Sequence, residues 1–293
     1  MSAMVYLNGK FLPLEQARIS PLDRGFLFAD GVYEVVPCYG GRPFRLDAHL
    51  QRLHQSLESI AMPAPFSLQH WDHLLENLLT HNRDQFKAQG GHCALYLQIT
   101  RGEAPIRDHA YPADLSPTIF AMCQPLPVPD LSNLEAIEGM RVITLGDLRW
   151  QRCDIKSIAL LANVMARQAA RAADCHEALF VRDGHITEGS SSNVFIVRDE
   201  QIFTPPENQW ILGGITRSIA LEIAEAEHIP HTETMLTRED LHHAEEVWLT
   251  TSTRGIVPVV SIDGQPVGNG RPGPLWRRMA ALYERYRQTL IDG

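Results

Sequence analysis

The sequence predicts a mixed α/β chain (α+β) with much antiparallel strand pairing, divided into two domains. Three observations carry this. Short alternating segments joined by Asn-Gly, Gly-Gly and Asp-Gly turns are interleaved with stretches of helical apolar spacing. The length, 293 residues, is large for one core. The segment Pro125-Leu126-Pro127-Val128-Pro129-Asp130 packs three prolines into five residues, which neither a helix nor a central strand accommodates. We expect a smaller N-terminal α/β domain over 1–122, a linker over 123–134 and a larger C-terminal domain, rich in antiparallel sheet or barrel, over 135–293.

In chain order, Met4–Leu7 and Phe11-Leu12 flank the Asn8-Gly9 turn and read as a hairpin. Gly31 to Cys38 is rich in β-branched and aromatic residues, and Gly40-Gly41 closes it with a turn. Leu50, Leu53, Leu57 and Ile60 form the apolar stripe of a helix with Asp47 as expected N-cap. A second helix covers about Leu68 to Lys87, and Cys93 to Thr100 alternates as a half-buried strand. Past the prolines, Met140 to Leu145 reads as a strand and the alanine-rich stretch Ile158 to Ala173 as a helix. Ala178–Val181 and Asn193–Val197 read as strands, with a turn at Asp183-Gly184. Leu212 to Thr216 leads into a helix through Ala226, and Val247 to Thr251 is a short buried strand.

The net charge of −9 argues against a nucleic-acid partner, since phosphate backbones require a basic face. It fits an enzyme of small molecules in the cytoplasm. No apolar run reaches membrane-spanning length, and the first residues lack signal-peptide character. Five cysteines, never in a Cys-x-x-Cys pair, read as reduced thiols. His70-x-x-His73, His228-x-x-His231 and His242-His243 lack the companion ligands of a zinc site, so no metal is expected.

Only three lysines, Lys10, Lys87 and Lys156, stand beside 23 arginines. Amine chemistry on a carbonyl needs a lysine, because a guanidinium stays protonated. Lys10 lies in the hairpin turn and Lys87 in a polar stretch, and both read as solvated. Lys156 sits among mixed apolar and charged residues, Leu148 to Ser157, which is neither a plain helix face nor a plain loop. A codon preference for arginine would explain the scarcity but not why this position kept a lysine.

Four other segments could carry chemistry. Glu188-Gly189-Ser190-Ser191-Ser192-Asn193 joins a carboxylate to three hydroxyls, and a Ser-rich hairpin turn would look the same. Gly213-Gly214-Ile215-Thr216-Arg217 opens a helix whose free N–H groups suit a phosphate, although it would also serve as a plain helix cap. Thr250-Thr251-Ser252-Thr253 ends a buried strand with four hydroxyls. Arg107 and His109, two apart in an extended loop, can face the same way and grip a carboxylate.

Together these segments resemble the fold-type IV pyridoxal-phosphate enzymes, the family of branched-chain aminotransferases, D-amino-acid aminotransferases and aminodeoxychorismate lyases. The resemblance runs from about Tyr6 to Val259. It is carried by Asp23-Arg24-Gly25-Phe26-x-Phe28-x-Asp30-Gly31-Val32-Tyr33-Glu34, by Arg149-Trp150-x-Arg152-Cys153-Asp154-Ile155-Lys156-Ser157, by Glu188 to Asn193, and by Gly214 to Arg217. The Gly31 to Val36 strand and Arg107-x-His109 are most similar to the D-amino-acid aminotransferases. Ile106 lengthens the approach to that pair by one residue relative to the family's pattern.

The resemblance implies pyridoxal 5′-phosphate held as a Schiff base by Lys156, whose amine then shuttles the Cα proton. It implies Glu188 at the pyridine nitrogen, and Arg52, Ile215, Thr216, Thr251 and Ser252 at the phosphate, with Ser191 and Ser192 beside the cofactor. Tyr33 would line the substrate pocket, oriented by Arg149. Arg107 and His109 would hold the substrate α-carboxylate, donated across the interface of a homodimer. The implied reaction is ping-pong transamination between a D-amino acid of the D-alanine or D-glutamate type and pyruvate or 2-oxoglutarate. The alternatives are an L-branched-chain aminotransferase, an aminodeoxychorismate lyase and, more remotely, a non-catalytic binder of the cofactor.

Overall fold

The structure, a computed structural model, describes residues 3–128 and 133–292. The chain forms two compact units. One contains the chain through Val128 together with Ile155–Ala159, and the other contains the rest. Residues 129–132 of the expected linker lie outside the described residues. The first residues of that stretch end a strand that runs to Pro125.

The first unit is a six-stranded antiparallel sheet covered by helices. Its elements are β1 (Met4–Leu7), β2 (Lys10–Pro13), α1 (Arg24–Phe28), β3 (Gly31–Tyr39), β4 (Arg42–Pro43), α2 (Leu46–Ser59), α3 (Leu68–Phe86), β5 (Cys93–Thr100) and β6 (Thr118–Pro125). The strand order is β2-β1-β6-β5-β3-β4. β3 and β5 pair over most of their length, from Gly31 opposite Thr100 to Cys38 opposite Cys93. Leu50, Leu53 and Leu57 of α2 and Trp71, Leu75 and Leu78 of α3 are fully buried against Val32, Val36, Leu95, Leu97 and Ile99. These residues sit at helical spacing on one side and period-two spacing on the other, which is why helix and sheet close one core.

α2 begins one residue before the expected cap. Arg45, in a left-handed conformation, is its N-cap, and Asp47 lies inside the first turn, where its charge still complements the helix dipole. Ser67 caps α3 by accepting from the His70 N–H at 3.3 Å.

The second unit holds a ten-stranded mixed sheet. Its elements are β7 (Met140–Gly146), α4 (Leu161–Ala172), β8 (Glu177–Arg182), β9 (His185–Gly189), β10 (Asn193–Arg198), β11 (Gln201–Thr204), α5 (Ile215–Ala226), β12 (His231–Glu233), β13 (Leu236–Thr237), α6 (Arg238–His242), β14 (Glu246–Thr251), β15 (Gly255–Ile262), β16 (Gln265–Pro266) and α7 (Pro274–Asp292). The order is β12-β11-β10-β14-β15-β7-β8-β9-β13, with β16 on β15. Pairing is parallel at β15–β7, β7–β8 and β11–β12 and antiparallel elsewhere. Val142, Leu179, Ile186, Val194, Val247 and Leu249 make its core.

The helix expected from Ile158 starts instead at Leu161. The residues before it are extended: Ser157 bridges Val32 in antiparallel sense, and the Ile158 N–H donates to the Gly31 carbonyl at 3.1 Å. Backbone pairing with β3 overrides the helical periodicity of the side chains there.

Candidate active site

In the first unit the candidate nucleophile is fixed through its backbone. The Lys156 N–H donates to Ser56 Oγ of α2 at 3.2 Å, and the Lys156 carbonyl accepts from the Tyr33 N–H at 3.0 Å. Its neighbour Ile155 is buried in the core. The half-buried Lys156 side chain ends 4.4 Å from the centre of the Tyr33 ring. Among the described residues the amine makes no ion pair, which leaves it available for covalent work. Gly31 permits this crossing: a Cβ there would lie 2.6 Å from the Ile99 carbonyl oxygen and 3.1 Å from Ile158 Cδ1.

Tyr33 and Glu34 alternate across β3, so they face opposite ways. The Tyr33 ring lies 5.8 Å from that of Tyr96. Glu34 is fully buried and receives Arg52 Nε at 2.7 Å, Arg52 Nη2 at 2.9 Å and His49 Nδ1 at 2.8 Å. Burial alone would raise the Glu34 carboxyl, but the Arg52 charge and the hydrogen bonds from His49 and Arg52 hold it well below the usual carboxylate range. Burial lowers His49 despite the opposing pull of Glu34, so the imidazole is neutral and donates from Nδ1. Arg52, expected at the phosphate, is thus oriented by Glu34.

The expected carboxylate-binding pair lies on the loop between β5 and β6 of the same unit, and both residues are exposed. Arg107 Cζ sits 4.8 Å from the centre of the Phe28 ring, and the His109 ring 5.4 Å from it. The structure therefore brings Arg107 and His109 to one aromatic platform.

In the second unit Glu188, at the end of β9, is buried and receives donors on both oxygens. Arg149 Nη1 reaches Oε1, while Asn193 Nδ2 at 3.2 Å and the Leu212 N–H at 3.0 Å reach Oε2. Arg149 turns its other edge to Asp147, with Nε to Oδ1 and Nη2 to Oδ2 both at 2.9 Å, and Arg182 Nη2 stands 3.1 Å from the same carboxylate. Burial would raise Asp147, but the Arg149 hydrogen bond and charge lower it. Burial would lower Arg149, but Asp147 and Glu188 raise it further. Four charges of alternating sign thus form a row with Glu188 at one end.

The serines divide. The Ser190 and Ser191 hydroxyls donate to Glu177, Ser191 at 3.1 Å, whereas Ser192 Oγ is buried with no hydrogen-bond partner among the described residues. Thr250 Oγ1 is buried in the same condition, and Thr250 lies opposite Asn193 in the β10–β14 register. Thr251 accepts from the Arg254 N–H at 3.0 Å, and Ser252 is half-buried. Gly214 precedes α5, and a Cβ there would come within 2.0 Å of Asn193 Oδ1. The first turn of α5 begins with half-buried Ile215 and buried Thr216, whose N–H groups have no partner within the helix. Two buried hydroxyls without partners, a helix N-terminus and a buried carboxylate suit a group that carries both an anion and a protonated ring nitrogen.

Asp147 and Glu177 carry no signal in the sequence, and Thr250 and Asn193 stand there only as members of their segments. Asn193 stands in the quoted Glu188 segment, but its bond to Glu188 depends on the bend at Gly189 to Ser192. Asp147 lies two residues before Arg149, and only burial makes it count. Among the described residues no group of three or more His, Cys, Asp or Glu side chains could hold a metal ion, and no helix is long and apolar enough to cross a membrane.

The aminotransferase class IV family matches residues 31–262. This chain belongs to the class IV aminotransferases. It is 41% identical over 275 residues to the D-alanine aminotransferase of Bacillus licheniformis, covering 94% of each chain. Its structure is similar to the Escherichia coli branched-chain amino acid aminotransferase, with a TM-score of 0.83 and 26% identity over 97% of this chain and 94% of that one. The branched-chain amino acid aminotransferase of Thermoproteus uzoniensis with norvaline also matches, with a TM-score of 0.83 and 26% identity over 100% of this chain and 96% of that one. A further branched-chain aminotransferase, solved with pyridoxamine 5′-phosphate, matches with a TM-score of 0.83. The mixed two-sheet fold is that of fold-type IV, and the cofactor of these class IV enzymes is pyridoxal 5′-phosphate.

Proposed function

We propose that this class IV aminotransferase exchanges the amino group of a D-amino acid, of the D-alanine or D-glutamate type, with pyruvate or 2-oxoglutarate. The observation that carries the reading is 41% identity across nearly the whole chain to a D-alanine aminotransferase, against 26% to branched-chain enzymes of similar fold.

Lys156 would hold the cofactor covalently, Glu188 would face its ring nitrogen, and Arg52, Ile215, Thr216, Thr251 and Ser252 would hold its phosphate. Ser191 and Ser192 would line the cofactor, and buried Thr250 is a further hydroxyl for it. Pyridoxal phosphate, when bound, supplies an aldehyde for the amine and a protonated ring that draws electron density from the substrate. Lys156 Nζ would take the Cα proton from the amino donor in one half-reaction and deliver a proton to Cα of the 2-oxo-acid acceptor in the other. Glu188, which receives Arg149, Asn193 and the Leu212 N–H, would hold the proton on the ring nitrogen. Arg149 therefore acts through Glu188. Tyr33 bounds the space beside the amine, and Arg107 and His109 bind the α-carboxylate. With the carboxylate fixed on their side, one enantiomer directs its Cα–H at Lys156.

Lys156→Ala should abolish both turnover and the absorbance band of the lysine–cofactor Schiff base, and retention of both removes this assignment. A screen of D- and L-donors with 2-oxoglutarate decides the substrate. The fold similarity to branched-chain enzymes supports a second reading, and transamination of L-leucine but not D-alanine would establish it. Release of pyruvate from aminodeoxychorismate would instead mark a lyase.

Homodimeric assembly in the cytoplasm belongs to the same proposal, with Arg107 and His109 given to the partner's substrate. It is supported by large apolar side chains left exposed in each unit, Phe26 and Ile106 in one and Leu148, Leu161, Val164 and Met165 in the other. Sedimentation equilibrium tests it, and a monomer at micromolar concentration refutes it. We also propose the boundaries 1–122, 123–134 and 135–293 as domains and linker, which limited proteolysis within 126–135 would support.

A further inference from the structure

The loop that carries Arg107 and His109 is exposed, yet the backbone of the pair is tied down by one buried side chain. Arg24, in the first turn of α1, is 3% exposed. Its Nη1 donates to the Asp108 carbonyl at 2.6 Å and its Nη2 to the His109 carbonyl at 2.9 Å. Its third donor, Nε, meets Asp30 Oδ2 at 2.8 Å. That oxygen also receives Arg101 Nε at 2.8 Å, and Arg101 Nη2 donates to the Ile60 carbonyl at 2.8 Å, just past α2. The anchor therefore reaches from the loop through two arginines and one carboxylate to the helix that bears Arg52.

The second contact is aromatic. Arg24 Cζ and Arg107 Cζ each lie 4.8 Å from the centre of the Phe28 ring, which the His109 ring approaches as well. A guanidinium within about 6 Å of a ring centroid is attracted by the ring's quadrupole. Arg107 thus takes its side-chain position from Phe28, and its backbone neighbours take theirs from Arg24. A lysine at 24 would keep the charge but not the planar fork that serves two adjacent carbonyls and Asp30 together.

We infer that Arg24 is a positioning residue for substrate recognition: together with Phe28 it sets where the Arg107–His109 pair meets the substrate α-carboxylate. The inference rests on the reading of that pair as the carboxylate-binding group. It gives a role to Asp23-Arg24-Gly25-Phe26-x-Phe28, which the chemistry assigned above leaves without one.

The test compares two donors of the same hand, D-alanine and D-alaninamide, with holoenzyme carrying Arg24→Lys, Phe28→Leu or Arg107→Ala. Arg24→Lys should raise KM for D-alanine about ten-fold with kcat little changed, and Phe28→Leu about three-fold. Neither should move kcat/KM for D-alaninamide, which has no carboxylate to misplace. Backbone amides of residues 105–111 should exchange faster in Arg24→Lys, and those of 155–159 should not. Equal losses on both donors would reduce Arg24 to a structural residue and overturn the inference. So would an unchanged D-alanine KM in both positioning variants while Arg107→Ala raises it, and that result leaves the carboxylate pair standing. If Arg107→Ala changes neither donor, the pair itself fails and the inference falls with it. Should Arg24→Lys not fold, Phe28→Leu decides alone by the same donor comparison.

Discussion

Glu34 and Glu188 are both buried carboxylates facing an arginine, one in each unit, and they use their oxygens differently. Glu34 takes both Arg52 contacts in a fork and completes its shell with a neutral His49. Glu188 receives one edge of Arg149, while the other edge is drawn to Asp147, and its second oxygen goes to an amide and a backbone N–H. An arginine that forks onto one acid makes a closed pair. An arginine shared by two acids, Asp147 and Glu188, instead ties the end member of a charge row to the acid behind it. Similar sequence chemistry thus yields a forked pair that orients Arg52 in one unit and, in the other, the buried carboxylate proposed to face the ring nitrogen.

Substitutions at the two acids break this contrast in different currencies. Glu188→Gln should lower kcat/KM about 10²–10³-fold with only a modest change in the denaturation midpoint, since Asp147 still holds Arg149. Kinetics within a few-fold of the parent would remove Glu188 from the chemistry. Glu34→Gln should weigh first on stability, costing about 3–5 kcal/mol in urea unfolding by leaving the buried Arg52 charge without its carboxylate. A loss below about 1 kcal/mol would mean the pair is relieved by water. Asp147→Asn should fall between them, with about a ten-fold loss in kcat/KM and about 1–3 kcal/mol in stability, because Arg149 then turns wholly to Glu188.

A pH series gives the smallest and most diagnostic effect. His49 titrates below its ordinary value of 6.5 in the fold, so between the two values the unfolded chain binds more protons and stability falls as pH falls. Glu34 acts in the same direction, its contribution being complete above 4.5 and lost as pH drops toward its depressed folded value. Thermal unfolding from pH 8 to 4 should therefore show melting temperatures declining below about pH 6.5, at up to about 1.4 kcal/mol per pH unit for one proton. His49→Gln should flatten the upper part of that decline, and an unaltered curve would detach His49 from it.

The residues proposed to carry the chemistry stand out in the sequence where residue type is scarce or the local pattern unusual. Lys156 stood out against 23 arginines, and Glu188 against three serines. β5 is legible from its alternation and β3 from its β-branched and aromatic residues. What escaped was pairing across long stretches of chain. Nothing local announces that Arg24 will bind carbonyls 84 and 85 residues away, or that Lys156 will rest on Ser56. The helix start misjudged at Ile158 has the same origin, since the alanine-rich periodicity is real and a tertiary backbone pairing outweighs it. Asp147 and Asn193 are ordinary polar residues until burial makes each hydrogen bond costly to lose.

The stretch Ile155–Ala159 completes a sheet made almost entirely from residues that precede it, those of β3 by more than a hundred positions. A ribosome that has released only the first 128 residues has therefore made a β3 margin with the Tyr33 N–H and Gly31 carbonyl still exposed to solvent. The pentapeptide that seals this margin also carries Lys156, the proposed Schiff-base lysine. During synthesis, the nascent chain's protection from sticking to its neighbours thus waits for the same few residues that bring Lys156.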